Sequence, residues 1–112
     1  MLISRSRPEW DICGEAANGS EAMEAIKSLK PDVVVLDITM PGMSGLEVSS
    51  QVTKLDLASR VLIFTMHESE MLPGEVRRTG AQGYVLKSQA ARDLIRAVDA
   101  LLEGGTFFGT AL

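Results

Sequence analysis

Short apolar runs and longer amphipathic segments alternate along the chain, and this pattern predicts strands separated by helices. Three runs rich in Val, Leu and Ile are bounded by turn or polar residues, as buried strands commonly are. They cover Val33–Leu36, residues 61–65 and Gly83–Leu86. Strands that are apolar on both sides are typical of parallel sheets covered by helices. The pattern therefore predicts an α/β protein with a doubly wound parallel sheet.

The predicted helices have recognisable ends, and a weaker alternation over residues 10–16 predicts one more strand. Ser20 is predicted to cap the first helix, which ends before Pro31. Pro73 lies early in the third helix and predicts that it is short. The last helix ends at Gly104 and has the most continuous apolar stripe. The predicted inward residues of that helix are Ala91, Leu94, Ile95, Val98, Leu101 and Leu102.

A polar residue marks the end of each of the three apolar runs. Asp37 follows the first run, Thr65 ends the second and Lys87 follows the third. The carboxyl ends of parallel strands lie at one edge of the sheet, where open α/β proteins place their sites. A carboxylate nucleophile, a hydroxyl donor and an ammonium together suit the handling of a phosphoryl group. The alternative is that polar residues simply mark where the chain leaves the core, but three suitable groups at once favour the site.

Composition limits the range of functions. The chain has 112 residues, which is enough for one compact domain. Its net charge of −4 argues against nucleic-acid binding by this chain alone. No apolar stretch approaches the roughly 20 residues of a membrane span, and no leader peptide is visible. The single cysteine, Cys13, fits a reducing cytoplasm. A glycine-rich cofactor loop is absent, so the chain is not predicted to be an enzyme.

Several segments together resemble the receiver domains of two-component response regulators. The segment Asp-Ile-Thr-Met-Pro-Gly-Met-Ser-Gly at 37–45 resembles the phosphoacceptor segment, and residues 61–67 and 80–88 resemble the fourth and fifth strands. Residues 15–19 and 103–108 resemble the subfamily with a LuxR/NarL-type helix-turn-helix output domain. The resemblance covers nearly the whole chain and implies a flavodoxin-like (CheY-like) fold.

The resemblance implies a role for each polar residue. Asp37 would accept a phosphoryl group from a sensor histidine kinase, Thr65 would contact that group, and Lys87 would pair with its charge. Tyr84 would be the aromatic whose burial follows Thr65. The backbone carbonyl of Thr39 and the Asp37 carboxylate would hold Mg²⁺. The signal would pass through the family's α4–β5–α5 face to an output domain, absent from this chain, that binds DNA and controls transcription.

The start of the chain departs from the family. Met1-Leu2-Ile3 matches the end of the family's first helix, so the first strand, its acidic pair and most of that helix are predicted to be missing. Residues 1–105 would be a truncated receiver domain, and residues 106–112 a tail or the start of a linker. Asp37 plus one carbonyl anchors Mg²⁺ weakly, because this ion favours carboxylate-anchored octahedral sites. The alternative function is therefore an interaction module or fragment that cannot be phosphorylated.

Loss of a central strand is expected to lower the stability of the domain strongly. Burying ~5 aliphatic side chains contributes roughly 8–15 kcal/mol, whereas a whole domain is stable by only about 5–15 kcal/mol. Two compensations are predicted as alternatives. The strand around Ile12 pairs directly with the strand around Val33, or a homodimer or other self-association covers the gap. His67, the only histidine, is predicted to be a loop residue.

Overall fold

A computed structural model describes residues 1–6, 9–66 and 68–108, so His67 lies outside the described residues. Strands and helices follow one another largely as the apolar pattern predicts. The strands are β1 (Leu2–Ser6), β2 (Glu9–Gly14), β3 (Val33–Leu36), β4 (Arg60–Thr65), β5 (Gly83–Leu86) and β6 (Phe107–Phe108). The helices are α1 (Gly19–Leu29), α2 (Gly45–Lys54), α3 (Leu72–Arg78) and α4 (Ala90–Leu102). A short 3-10 turn, Lys87–Gln89, leads into α4.

Within the described residues, six strands form one sheet in the order β2-β1-β3-β4-β5-β6. From β3 to β6 all neighbours are parallel, with Val34 opposite Val61 and Ile63 opposite Tyr84. Strand β1 runs antiparallel to both β2 and β3. The sheet is therefore mixed, and its parallel part joins strands through helices as the α/β prediction requires.

The first residues depart from the predicted helix end. Leu2 and Ile3 belong to β1 and are fully buried between β2 and β3. Val35 donates its N–H to the Met1 carbonyl at 2.7 Å, and Asp32 donates to the Ile3 carbonyl at 2.8 Å. The assignment of residues 1–3 to a helix was wrong because these apolar side chains and backbone groups complete a central position of the sheet.

Direct pairing of the Ile12 strand with the Val33 strand was also a wrong prediction. Strand β1 separates the two, and Ile3 pairs with Ile12 on one side and Val33 on the other. Because β1 is antiparallel to both neighbours, it needs no long crossover connection of the kind that joins parallel strands. The position of the family's parallel first strand is thus filled from within the chain by an antiparallel one.

Helices cover the two faces of the sheet unequally. Among the described residues, buried side chains of α1, α2 and α3 pack on one face, and those of α4 pack on the other. The β1–β2 hairpin contacts α4: the Trp10 indole donates to Asp99 Oδ1 at 3.1 Å, and Arg5 bonds Glu103 at 2.9 Å. The hairpin therefore covers part of the face on which α4 lies.

Two details of the predicted helices were wrong. Asn18 rather than Ser20 caps α1, because its Oδ1 accepts from the Glu21 N–H at 2.9 Å while Glu21 accepts from the Ala17 N–H at 3.3 Å. This reciprocal bonding places the helix start one residue before Ser20. Ile95 of α4 is 64% exposed rather than buried. The inward face of α4 is centred on Ala97, Val98 and Leu101, and Ala91 is exposed as well. The third helix is short, as Pro73 predicted.

Candidate functional site

Asp37 lies where β3 ends, at the carboxyl edge of the parallel strands. Its Oδ1 accepts the Thr39 N–H at 3.0 Å, which fixes the carboxylate in a turn of its own loop. The loop returns so that the Gly45 N–H donates to the Ile38 carbonyl at 3.1 Å. A Cβ on Gly45 would overlap the carbonyl oxygen of Asp37. Glycine is therefore needed for α2 to begin against the carboxylate loop.

Lys87 lies at the exit of β5 and forms an ion pair with Asp37. Its Nζ donates to Asp37 Oδ2, across a strand that lies between the two residues in the sheet. About one third of each side chain is exposed, 35% for Lys87 and 33% for Asp37. The structure thus brings together the carboxylate and the ammonium that the sequence placed at one edge of the sheet.

Thr65 ends β4, the strand between those of Asp37 and Lys87, and it is fully buried. It pairs in register with Leu86, and two residues earlier Ile63 pairs with Tyr84. Ile63 and Tyr84 both belong to the face of the sheet covered by α1, α2 and α3. Alternation along the strand puts Thr65 on that face too. The hydroxyl of Thr65 and the ring of Tyr84 are therefore diagonal neighbours.

Tyr84 is half-buried and lines a cavity of about 240 Å³. Leu72 and Pro73 of α3 and Leu86 of β5 line the same cavity. The ring also packs edge-to-face against Phe108, with 6.2 Å between the centroids. The sequence did not predict this second aromatic contact, because Phe108 follows the glycines that end the last helix and belongs to no periodic pattern.

A cleft of about 410 Å³ opens beside Asp37. Its walls are mainly apolar, and Asp37 and Thr39 contribute the polar groups at one side. The Met1 ammonium also lines the cleft, where it donates to the Val35 carbonyl at 2.9 Å and lies 3.7 Å from a Glu15 oxygen. Burial lowers the pKa of this ammonium, and Glu15 partly counters the effect.

A match to a protein-family model over most of the chain shows the family of this protein. The family model described as "Response regulator receiver domain" matches residues 4–99. The chain belongs to this family. It is not by itself a catalytic family, and receiver domains of response regulators interact with histidine kinases.

Relatives of the NarL/LuxR type match along nearly the whole chain. The nitrate/nitrite response regulator protein NarL of Escherichia coli K12 is 36% identical over 114 residues, covering 100% of this chain and 51% of the relative. The transcriptional regulatory protein DegU of Brevibacillus brevis is 33% identical and covers 94% of this chain and 44% of the relative. The chain thus spans about half the length of the curated relatives it matches.

Solved structures confirm the CheY-like, flavodoxin-like fold class. A LuxR-family two-component response regulator from Aurantimonas sp. SI85-9A1 superposes with a TM-score of 0.84 at 36% identity, over 93% of this chain and 74% of that one. The signal receiver domain of the response regulator NarL from Mycobacterium tuberculosis gives a TM-score of 0.79 at 35% identity, over 84% and 76%.

Receiver domains of this family typically bind Mg²⁺, but the described residues do not fit such a site. One Asp37 oxygen accepts from Lys87 and the other from the Thr39 N–H. Among residues 1–6, 9–66 and 68–108, no three His, Cys, Asp or Glu side chains cluster closely enough to hold a metal ion. Mg²⁺ anchors on carboxylates and keeps an octahedral oxygen shell, and a single carboxylate already bonded to an ammonium is a poor anchor.

None of the helices that the structure describes is both long and apolar enough to cross a membrane.

Proposed function

We propose that this chain is the phosphoryl-accepting module of a two-component response regulator, with Asp37 as phosphoacceptor. The observation that supports this most directly is the Asp37–Lys87 ion pair at the carboxyl edge of the sheet. A carboxylate oxygen of Asp37 would attack the phosphorus of a phosphohistidine on a histidine kinase. The P–O bond forms as the P–N bond breaks, and the imidazole leaves with a proton. Lys87 would then transfer its hydrogen bond from Asp37 to a phosphoryl oxygen.

Thr65 and Tyr84 would convert the new phosphoryl group into a change of surface. Thr65 ends the strand between those of Asp37 and Lys87, which suits its hydroxyl to donating to the phosphoryl group. The cavity beside Tyr84, which Leu72, Pro73 and Leu86 also line, gives the ring space to move. Phosphorylation would stabilise that arrangement and shift an existing equilibrium. The surface of α3, β5 and α4, which corresponds to the family's α4–β5–α5 face, would present the result to a partner.

The proposed signal leads to transcription through another domain. The curated relatives are about twice as long as this chain, and their names include nitrate/nitrite response regulator and transcriptional regulatory protein. We propose a histidine kinase as phosphoryl donor, a helix-turn-helix output domain as the DNA-binding part, and the cytoplasm as the location. With a net charge of −4, this chain alone is not expected to bind DNA.

Mass spectrometry of the intact protein tests the phosphoacceptor. After incubation with acetyl phosphate, the protein should gain the mass of one phosphoryl group, and Asp37→Asn should abolish the gain. Asp11→Asn, at an exposed acid of β2, is the matched control and should leave it unchanged. The incubation is run with Mg²⁺ and with a chelator, because the described residues fit Mg²⁺ poorly. Modification that persists in Asp37→Asn would contradict the assignment.

A second candidate function is an interaction module that is not switched by phosphate. This function is favoured by the poor fit of the described residues to Mg²⁺. Asp37 is paired with Lys87, and the described residues contain no cluster of three acidic or other metal-binding side chains. In that case a folded sample stays unmodified by acetyl phosphate, and beryllofluoride leaves the amide resonances near Thr65 unmoved. Those two results together would replace the first proposal with this one.

Self-association remains a proposal, although β1 already fills the gap in the sheet. The large apolar side chains that are exposed among the described residues include Ile12 on β2 (53%) and Ile95 on α4 (64%), and β2 is an edge strand. A second copy of the chain could cover them. Sedimentation velocity should show a dimer that weakens in the Ile12→Lys, Ile95→Lys double variant. Glu24→Lys, at an exposed position of α1, is the control. A wild-type monomer at all concentrations would refute the proposal.

A further inference from the structure

The last described residues form a strand along the outer edge of β5. Strand β6 pairs parallel to β5, with Phe107 opposite Gly83 and Phe108 opposite Tyr84. The Phe107 N–H donates to the Gln82 carbonyl at 3.0 Å. A Cβ on Gly83 would overlap the Phe107 carbonyl oxygen, so this close pairing depends on glycine at that position. The edge of β5 is thus shaped to accept this segment of backbone.

The two phenylalanines anchor the segment on both faces of the sheet. Phe107 packs with the side chains around α4, and Phe108 packs with those around α1, α2 and α3. Phe108 lies against Tyr84 edge-to-face, and the Arg77 guanidinium of α3 stacks over its ring, 3.8 Å from the centroid. Such a cation–π contact favours the docked position of the ring. Phe108 therefore joins α3 to the aromatic residue on β5.

We infer that residues 106–108, called here the terminal strap, are an autoinhibitory element that occupies the signalling face. The strap covers the edge of β5 and holds Tyr84 by ring contact in its half-buried position. Movement of Tyr84 into the cavity lined by Leu72 and Pro73 breaks its contact with Phe108. The strap leaves when Tyr84 moves, and its departure exposes the β5 edge and frees the Arg77 guanidinium from the Phe108 ring. The link to phosphorylation rests on the proposed function of Asp37.

Coupling of this kind acts in both directions. If phosphorylation weakens strap docking, weaker docking must favour the phosphorylated arrangement by the same factor. The strap also links its docking on β5 to the residues that come after it in the chain. Release of the strap would change the direction in which those residues leave the sheet. An exposed sheet edge can bind an extended peptide of a partner through main-chain hydrogen bonds.

Hydrogen exchange of the Phe107 amide measures strap docking without any phosphate. The rate is taken relative to that of the Val34 amide in the sheet centre, so that global destabilisation cancels. Phe108→Ala should raise the relative rate at least about tenfold, a change of roughly 1.4 kcal/mol in local stability. Leu46→Ala, at a half-buried position of α2 away from the strap, is the matched control and should leave the relative rate unchanged. Equal relative rates in wild type and Phe108→Ala would overturn the docking.

Phosphorylated protein tests the coupling. Intact mass first establishes modification, and the relative exchange rate of the Phe107 amide should then rise by a similar factor. Phe108→Ala should also bind beryllofluoride more tightly than the wild type by a similar factor, since the reciprocity applies to binding free energies. A modified protein with an unchanged Phe107 rate would overturn the autoinhibitory role. If the mass does not increase in the wild type, the proposed phosphoacceptor function fails and autoinhibition fails with it, while docking is decided by the first experiment.

Discussion

At the residue scale, the site depends on a close approach between a carboxylate loop and the start of a helix. Gly45 lies against the Asp37 carbonyl, and Ser44 caps α2 by accepting the Glu47 N–H at 3.2 Å. Together they bring the positive end of α2 next to the loop that holds Asp37. The geometry of the carboxylate is therefore set by backbone contacts as well as by its pairing with Lys87.

Substitution of Gly45 tests this contact. Gly45→Ala should destabilise the protein by about 1–3 kcal/mol, because the added methyl overlaps backbone that packing holds in place. Gly74→Ala is the control: in α3 the new Cβ would be no closer than 3.7 Å to Arg78, and alanine favours a helix by up to about 1 kcal/mol over glycine. Urea unfolding measures both. A Gly45→Ala variant as stable as wild type would show that the loop adapts freely.

The convergence of site residues was predictable from the sequence, but the ring contacts were not. Asp37 and Lys87 meet because parallel strands end at one edge, which the apolar runs already indicated. Phe108 contacts Tyr84 through a strand of two residues, and so short a strand leaves no alternation to detect. The cap of α1 was misassigned for a similar reason: Asn18 and Ser20 are both good caps, and only the bonds to Glu21 decide between them.

At the element scale, β1 is the main difference between prediction and structure. Its buried apolar content is the pair Leu2 and Ile3, which fits a helix end as well as a strand. Apolar and polar residues alternate in the same way whether a strand is parallel or antiparallel to its neighbours. An antiparallel strand in a parallel region could therefore not be predicted from the sequence. Strand β1 is needed because the backbone N–H and C=O groups along one edge of β3 would otherwise be unpaired in the middle of the fold.

Truncation of Ile3 tests whether β1 is a central strand. Ile3→Ala should lower the free energy of unfolding by about 2–5 kcal/mol, the usual range for truncating a fully buried aliphatic side chain to alanine. Its cross-strand partner Ile12 is 53% exposed, and Ile12→Ala should cost under about 1 kcal/mol. Thermal unfolding of the two variants provides the comparison. Similar, small costs for both would mean that residues 2–6 do not lie inside the sheet in solution.

At the scale of the whole molecule, the hairpin and the parallel sheet should unfold together. The β1–β2 hairpin lies at one side, but Leu2 and Ile3 are in the buried cores of both faces. Removing the hairpin would expose these side chains and break the pairing of β1 with β3. The hairpin is therefore part of the cooperative unit rather than an appendage, even though β2 is an edge.

Trp10, the only tryptophan, makes this cooperativity measurable. Its indole bonds Asp99 of α4, so its fluorescence reports on hairpin docking. In urea, the fluorescence transition should coincide with the loss of helical circular dichroism, as two-state unfolding requires. A fluorescence transition at clearly lower urea would show that the hairpin detaches first. Asp99→Ala should lower both midpoints together.

The reversed direction of β1 also has a practical consequence. A parallel first strand would enter the sheet from the edge opposite Asp37, whereas here β1 begins at the cleft beside Asp37, with Met1 in its wall. Any peptide fused ahead of Met1, such as an affinity tag, would therefore emerge at the mouth of that cleft and screen Asp37 from reagents and kinases. Phosphorylation assays need protein whose amino terminus is free of added residues.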